Sequence, residues 1–141
     1  MILKDKVCFI TGSTRGIGWA TAREFARQGA IVILNGRVSG AVLDDRCKEL
    51  ADESSGKVVG LAADVRDPAA VKGCYAEIFR RFRHLDVLVN NAGILQDALL
   101  GMISEVTLSL STWRDPGGLC GHVGAVPAEH RAVVAAVPDR V

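Results

Sequence analysis

The sequence predicts an α/β domain in which a parallel sheet is wound by helices on both faces, and three observations carry that prediction. Short apolar runs recur along the first ninety residues: "KVCFIT" at 6–11, "AIVILN" at 30–35, "KVVGLAAD" at 57–64 and "LDVLVN" at 85–90. Each interval between them holds apolar residues at helical spacing. A glycine-rich turn, "TGSTRGIG" at 11–18, stands where the first run gives way to the first helical pattern. Strands alternating with helices need crossovers, which are almost always right-handed and cover a parallel sheet on both faces. The expected strand order is 3-2-1-4, with the ligand crevice at the carboxyl end of the first strand.

The elements follow in order. After the first strand, Ile17, Thr21, Phe25 and Gln28, with Ala20 and Ala22, are spaced for a helix over 17–28, and Gly29 is placed to end it in a left-handed turn. The second strand is rich in β-branched residues, as buried parallel strands are. In "AVLDDRCKELADESSG", at 41–56, Leu43, Cys47, Leu50 and Ala51 share one helical face. The third strand leads to Asp67, a good cap with Pro68 at the first helical position, and to a stripe of Val71, Cys74, Tyr75, Ile78, Phe79 and Phe82. "LDVLVN" closes the series as the fourth strand.

A chain of 141 residues suits one domain with its own core. Hydrophobic residues make up 49% and charged residues 23%, and the net charge of +1 gives no electrostatic basis for nucleic acid or an anionic membrane surface. A small molecule is the expected partner. The apolar runs are shorter than a bilayer span, and Lys4, Asp5 and Lys6 interrupt the amino terminus, so neither membrane helix nor signal peptide is expected and a cytoplasmic location follows. Cys8, Cys47, Cys74 and Cys120 form no Cys-x-x-Cys pair and read as reduced, small hydrophobic residues; Cys120 and His122 lack further ligands, so no metal site is expected.

In the glycine-rich stretch, Gly12 permits the turn after the strand, Gly16 lets backbone approach a pyrophosphate, and Gly18 keeps the helix close to the sheet with its N–H groups toward the anion. At the end of the second strand an acidic residue would accept hydrogen bonds from an adenosine ribose. The sequence there is Asn35, Gly36, Arg37. Arg37 can pair with a 2′-phosphate, and Arg15 adds a second charge, which favours NADP(H) over NAD(H).

"TGSTRGIG" at 11–18, "ADV" at 63–65 and "NNAG" at 90–93, in that order, resemble the short-chain dehydrogenases/reductases over about residues 1–105, most of all those of the 3-oxoacyl-acyl-carrier-protein reductase type. The resemblance implies a Rossmann-like fold and a carbonyl substrate. It implies cofactor contacts from Gly12, Ser13, Thr14, Arg15, Gly16, Ile17 and Gly18, with Arg37 beside them. It also implies that Asp64 and Val65 meet the adenine and that Asn90, Ala92 and Gly93 line the cofactor site. The family's acid is a tyrosine followed four residues later by a lysine. Here the only tyrosine is Tyr75, Phe79 stands four residues on, and no lysine follows Lys72, so no catalytic residue is assigned. Tyr75 reads as core, and His84, His122 and His130 join no nucleophile.

Residues 106–141 contain three of the four prolines and no Phe, Tyr, Met, Ile, Asn or Lys. The expectation is a cofactor-binding domain over 1–105, truncated after its fourth strand, followed by a divergent tail at 106–141 of frameshifted or alternatively spliced origin. Within it "VTLSLS" alternates like a strand that could cover the apolar edge Val87–Val89, and Ala128 to Val137 could form a helix between Pro127 and Pro138. The later elements that build the family's substrate pocket and oligomer contacts are not expected. The function expected is thus an NADP(H)-dependent carbonyl or 3-oxoacyl reductase represented by its cofactor-binding half and inactive as this chain. The alternative is a non-catalytic NADP-binding or interaction protein that pairs with a full-length relative.

Overall fold

The structure, a computed structural model, describes residues 1–54 and 56–92 and the backbone of 132–134. Strands β1 (Val7–Ile10), β2 (Ile31–Gly36), β3 (Val58–Ala62) and β4 (Val87–Val89) alternate with helices α1 (Gly16–Arg27), α2 (Ala41–Glu53) and α3 (Pro68–Phe82), and β5 (Ala132–Val134) follows. The sheet order is β3-β2-β1-β4-β5, every pairing parallel. The chain therefore winds outward through β2 and β3, then reverses to lay β4 on the other side of β1. That reversal opens a crevice at the carboxyl ends of the strands.

Side-chain alternation along β1 explains the layering. Val7 and Phe9 face a core with Val71, Cys74, Tyr75 and Ile78 of α3, whereas Cys8 and Ile10 face Ala22 and Ala26 of α1 and Leu43 and Leu50 of α2. Helices thus cover both faces, as the alternation of runs predicts. Asp67 caps α3 by accepting from the Ala69 N–H at 2.9 Å, with Pro68 behind it. Tyr75 is core: it is 5% exposed and meets Phe9 edge-on at 6.2 Å between ring centroids. Burial pushes the Cys8 thiol up to about 12, with the Asp86 charge adding to it, so this cysteine is an inert packing group.

Two expectations need correcting. The buried face of α1 is Gly18, Ala22 and Ala26, and Ile17 is 39% exposed. Small residues are the fully buried ones because α1 lies close against the sheet, while Trp19 and Phe25 pack against the same core partly buried. Secondly, 132–134 is strand, pairing with β4, within the stretch expected to be helical. An unpaired β4 edge would expose a row of backbone donors and acceptors, and Val133 and Val134 are β-branched residues suited to pairing there. "VTLSLS", expected to cover that edge, lies outside the described residues, as does the rest of the tail.

At the amino end of the sheet, the Asp86 carboxylate accepts from the Val7 N–H at 2.8 Å and the Lys6 ammonium at 3.1 Å, and pairs with His84 at 3.1 Å. This ties the start of β4 to β1. Among the described residues, no helix is long and apolar enough to cross a membrane.

Candidate functional site

Because β1 to β4 are parallel, the segments that follow their carboxyl ends meet on one edge of the sheet. These are the 11–18 turn after β1, Arg37 after β2, Asp64 and Val65 after β3, and Asn90 to Ala92 after β4. The residues that the sequence singles out are therefore gathered at the crevice, apart from Gly93, which lies outside the described residues.

The turn between β1 and α1 is built by close approach. Gly12 has φ +61°, and a Cβ there would sit 2.9 Å from the Ala92 Cα; Gly16 has φ +58° with open space around it. At Gly18 a Cβ would stand 2.4 Å from Asn91 Nδ2 and 2.7 Å from the Gly12 carbonyl oxygen. Only glycine lets α1 begin this near the two loops. The helix is uncapped, with Arg15 at the N-cap position making no side-chain capping bond and no acidic residue in the first turn. An uncapped amino terminus leaves N–H groups and the positive end of the helix dipole for an anion.

Polar residues hold this turn. Ser13 is fully buried: its hydroxyl donates to the Ile10 carbonyl at 2.8 Å and accepts from the Asn35 N–H at 2.9 Å. Its side chain is thereby committed to the framework. Asn35 Oδ1 accepts from the Gly12 N–H at 3.1 Å, while Nδ2 donates to the carbonyls of Gly36, Leu61 and Ala63. Across the crevice, the Thr11 hydroxyl accepts from the Asn91 and Ala92 N–H groups, each at 2.9 Å, and Asn91 Nδ2 donates to the carbonyls of Thr11 and Gly12 at 3.0 and 3.1 Å. The framework role of Asn35 escapes sequence reasoning, since its partners lie across the sheet in other strands and loops.

The electrostatics are cationic with one fixed anion. Arg15 and Arg37 are exposed. Asp64 is held down to about 2, first by hydrogen bonds from the Arg66 side chain and backbone and then by the charges of Arg66 and Arg37, so it is a carboxylate at any physiological pH. Val65 is half-buried beside it. Asn90 is 5% exposed, and neither polar atom of its side-chain amide has a hydrogen-bond partner among the described residues. A buried amide left in that state is costly and is suited to a polar ligand entering the crevice. An uncapped helix end, close-packed glycines, two exposed arginines and an orphaned amide fit a dinucleotide cofactor. Tyr75 belongs to the core and His84 to the opposite, amino end of the sheet, so neither is at the crevice.

A family model described as short chain dehydrogenase matches residues 6–114. The chain is 44% identical over 105 residues to the 3-oxoacyl-(acyl-carrier-protein) reductase FabG of Thermotoga maritima, an alignment covering 74% of this chain and 42% of that protein. Among solved structures it resembles the L-sorbose reductase of Gluconobacter frateurii complexed with NADPH and L-sorbose, with a TM-score of 0.71 and 30% identity over 77% of this chain and 41% of the other. It also resembles the NADH-dependent reductase A1-R′ complexed with NAD, with a TM-score of 0.67 and 36% identity over 78% of this chain and 47% of the other. The chain thus spans less than half the length of each of these three proteins.

Proposed function

This chain belongs to the short-chain dehydrogenase family, and from that premise we propose that it binds NADP(H) in preference to NAD(H) at the crevice beside α1. One observation carries the preference: β2 ends in Asn35, Gly36 and Arg37, a cation where a carboxylate would repel a 2′-phosphate, and Arg37 lies near enough to Asp64 for its charge to act there. The structural relatives bind NADPH in one case and NAD in another, so the choice rests on this chain's own residues. In this reading Gly12, Ser13, Thr14, Arg15, Gly16, Ile17 and Gly18 form the turn that holds the pyrophosphate, Gly12 and Ser13 as its framework because their N–H groups are bonded to Asn35, with Arg15 and Arg37 toward the 2′-phosphate. Asp64 and Val65 border the adenine, and Asn90, Ala92 and Gly93 line the remainder. When bound, the nicotinamide supplies hydride to a carbonyl carbon or takes it from an alcohol.

As hydride adds to a carbonyl carbon, its electron pair forms the new C–H bond and the C=O π pair moves to oxygen, which then needs a proton; no Tyr-x-x-x-Lys pair occurs in these 141 residues to give it. The reading is therefore the cofactor-binding part of a cytoplasmic carbonyl or 3-oxoacyl reductase, without turnover as this chain. The missing acid equally favours a second reading, a non-catalytic NADP-binding or interaction protein that pairs with a longer relative. A frameshifted tail would account for the composition of 106–141. In that case a one-base shift of the coding DNA after residue 105 restores a Tyr-x-x-x-Lys.

Fluorescence titration of the full chain with NADPH and NADH, beside Arg37→Ala and a carbonyl-reduction assay, tests the cofactor reading. Saturable NADPH binding is expected, weakened about tenfold by Arg37→Ala while NADH affinity is unchanged, as the loss of one charge-assisted pair implies. Equal affinity for the two dinucleotides removes the preference, absence of binding removes the cofactor reading, and turnover removes the claim of inactivity.

A further inference from the structure

We infer that Arg46, on α2, is a positioning residue that sets the orientation of the Thr14–Arg15 peptide and so aims the Arg15 N–H into the phosphate site; this rests on the cofactor reading above. Arg46 Nε donates to the Thr14 carbonyl oxygen at 3.0 Å. Its guanidinium carbon lies 4.8 Å from the ring centroid of Trp19 on α1, and a terminal nitrogen pairs with Glu49 Oε2 at 2.5 Å. One planar group thus spans α2, α1 and the loop, held by an ion pair, an aromatic face and a carbonyl at once.

The position of this contact gives it a consequence. Asn35 and Asn91 fix the first half of the loop, at Gly12 and Ser13. For residues 14–16, the Arg46 bond is the only hydrogen bond from a side chain among the described residues. A trans peptide keeps its C=O and the following N–H on opposite sides, and no cis peptide occurs among the described residues. Drawing the Thr14 oxygen toward α2 therefore turns the Arg15 N–H away from α2, immediately before the uncapped first turn of α1. Lysine cannot substitute, since an ammonium has no planar fork with which to stack on the indole and donate to the carbonyl together.

Titration of the full chain with NADPH and NADH, each followed by reduced-nicotinamide fluorescence, separates this role from a contact with the 2′-phosphate. Arg46→Ala is expected to weaken both dinucleotides by the same factor, about tenfold, because the loop serves the pyrophosphate they share. Arg46→Lys is expected not to rescue, Trp19→Leu to reproduce part of the loss, and Trp19→Phe, which keeps an aromatic face, to stay near wild type. Unchanged affinity in Arg46→Ala, full rescue by lysine, or a loss confined to NADPH overturns the inference. Should Arg46→Ala fail to fold by circular dichroism, Arg46→Lys and Trp19→Leu carry the comparison, and wild-type affinity in both overturns it. If the wild-type chain binds neither dinucleotide, the cofactor reading falls and takes the inference with it; if it binds both and the Arg46 variants match it, only the inference falls.

Discussion

Ser13 and Asn35 exchange reciprocal hydrogen bonds: the Asn35 N–H donates to the Ser13 hydroxyl at 2.9 Å, and the Ser13 N–H donates to the Asn35 carbonyl at 3.0 Å. The loop after β1 is thereby laced to the end of β2, and the site is held by strand backbone rather than by loop residues alone. Ser13→Ala removes the acceptor for a buried N–H and is expected to destabilise the chain by about 2 kcal/mol in urea titration. Asn35→Asp is expected to cost at least as much, because a carboxylate would confront the three carbonyls that Nδ2 now satisfies. A midpoint unchanged in both variants would show that water replaces these bonds and that the lacing contributes little.

Gly16 and Gly18 separate backbone strain from steric contact within one loop. Gly16→Ala places its Cβ in open space but at φ +58°, and is expected to cost about 1 kcal/mol. Gly18→Ala drives a methyl into Asn91 Nδ2 and the Gly12 carbonyl oxygen, with an expected cost of about 2–3 kcal/mol and a displaced α1 amino terminus. Urea midpoints and NADPH titration on both variants check the order, with Gly18→Ala losing more of each. The reverse order would mean that α1 can slide away from the β4 loop without harm.

The difference between those glycines marks how much of the site was legible in the sequence. Spacing alone located the turn, the cap at Asp67 and the α3 stripe, because each depends on residues a few positions apart. On α1 it found Ala22 and Phe25, which pack on the core, but missed Gly18 and Ala26, since periodicity weights large apolar side chains. Asn35 was visible only as a missing carboxylate, and Arg46 not at all, because their partners at Gly12, Leu61, Ala63 and Thr14 are distant in sequence. β5 was hidden for a related reason: its strand conformation accompanies pairing with the β4 edge, while Ala128 to Val137 taken alone suits a helix.

Asp86 predicts a pH dependence. Burial would raise its pKa, but the Val7 N–H, the Lys6 ammonium and the His84 side chain outweigh it and hold the carboxyl below the ordinary value of 3.8. A depressed folded-state pKa stabilises the native state above the unfolded value and loses that contribution as pH falls through the folded one. Asp86→Asn is therefore expected to be less stable than wild type at about pH 6, by no more than about 1 kcal/mol given the exposed lysine, with the gap closing as pH falls below 3.8 and through the depressed folded-state value. A gap independent of pH would assign the effect to hydrogen-bond geometry at Val7 instead of charge.

The pairing of β4 with β5 can be read at a single amide. The Thr11 N–H donates to the Val89 carbonyl, so Val89 faces β1; by strand alternation its neighbour Leu88 turns toward β5, where it is in register with Val133. If 132–134 is seated on that edge in solution, the Leu88 amide exchanges slowly with solvent deuterium, alongside the Val89 amide. Ending the chain at residue 131 is then expected to accelerate exchange at Leu88 by about a hundredfold or more while leaving Val89 protected, since only the outer ladder is lost. Fast exchange at Leu88 in the full chain would mean that the β4 edge is open, and that the tail contributes neither to the sheet nor to shielding Val87–Val89 from association with other chains.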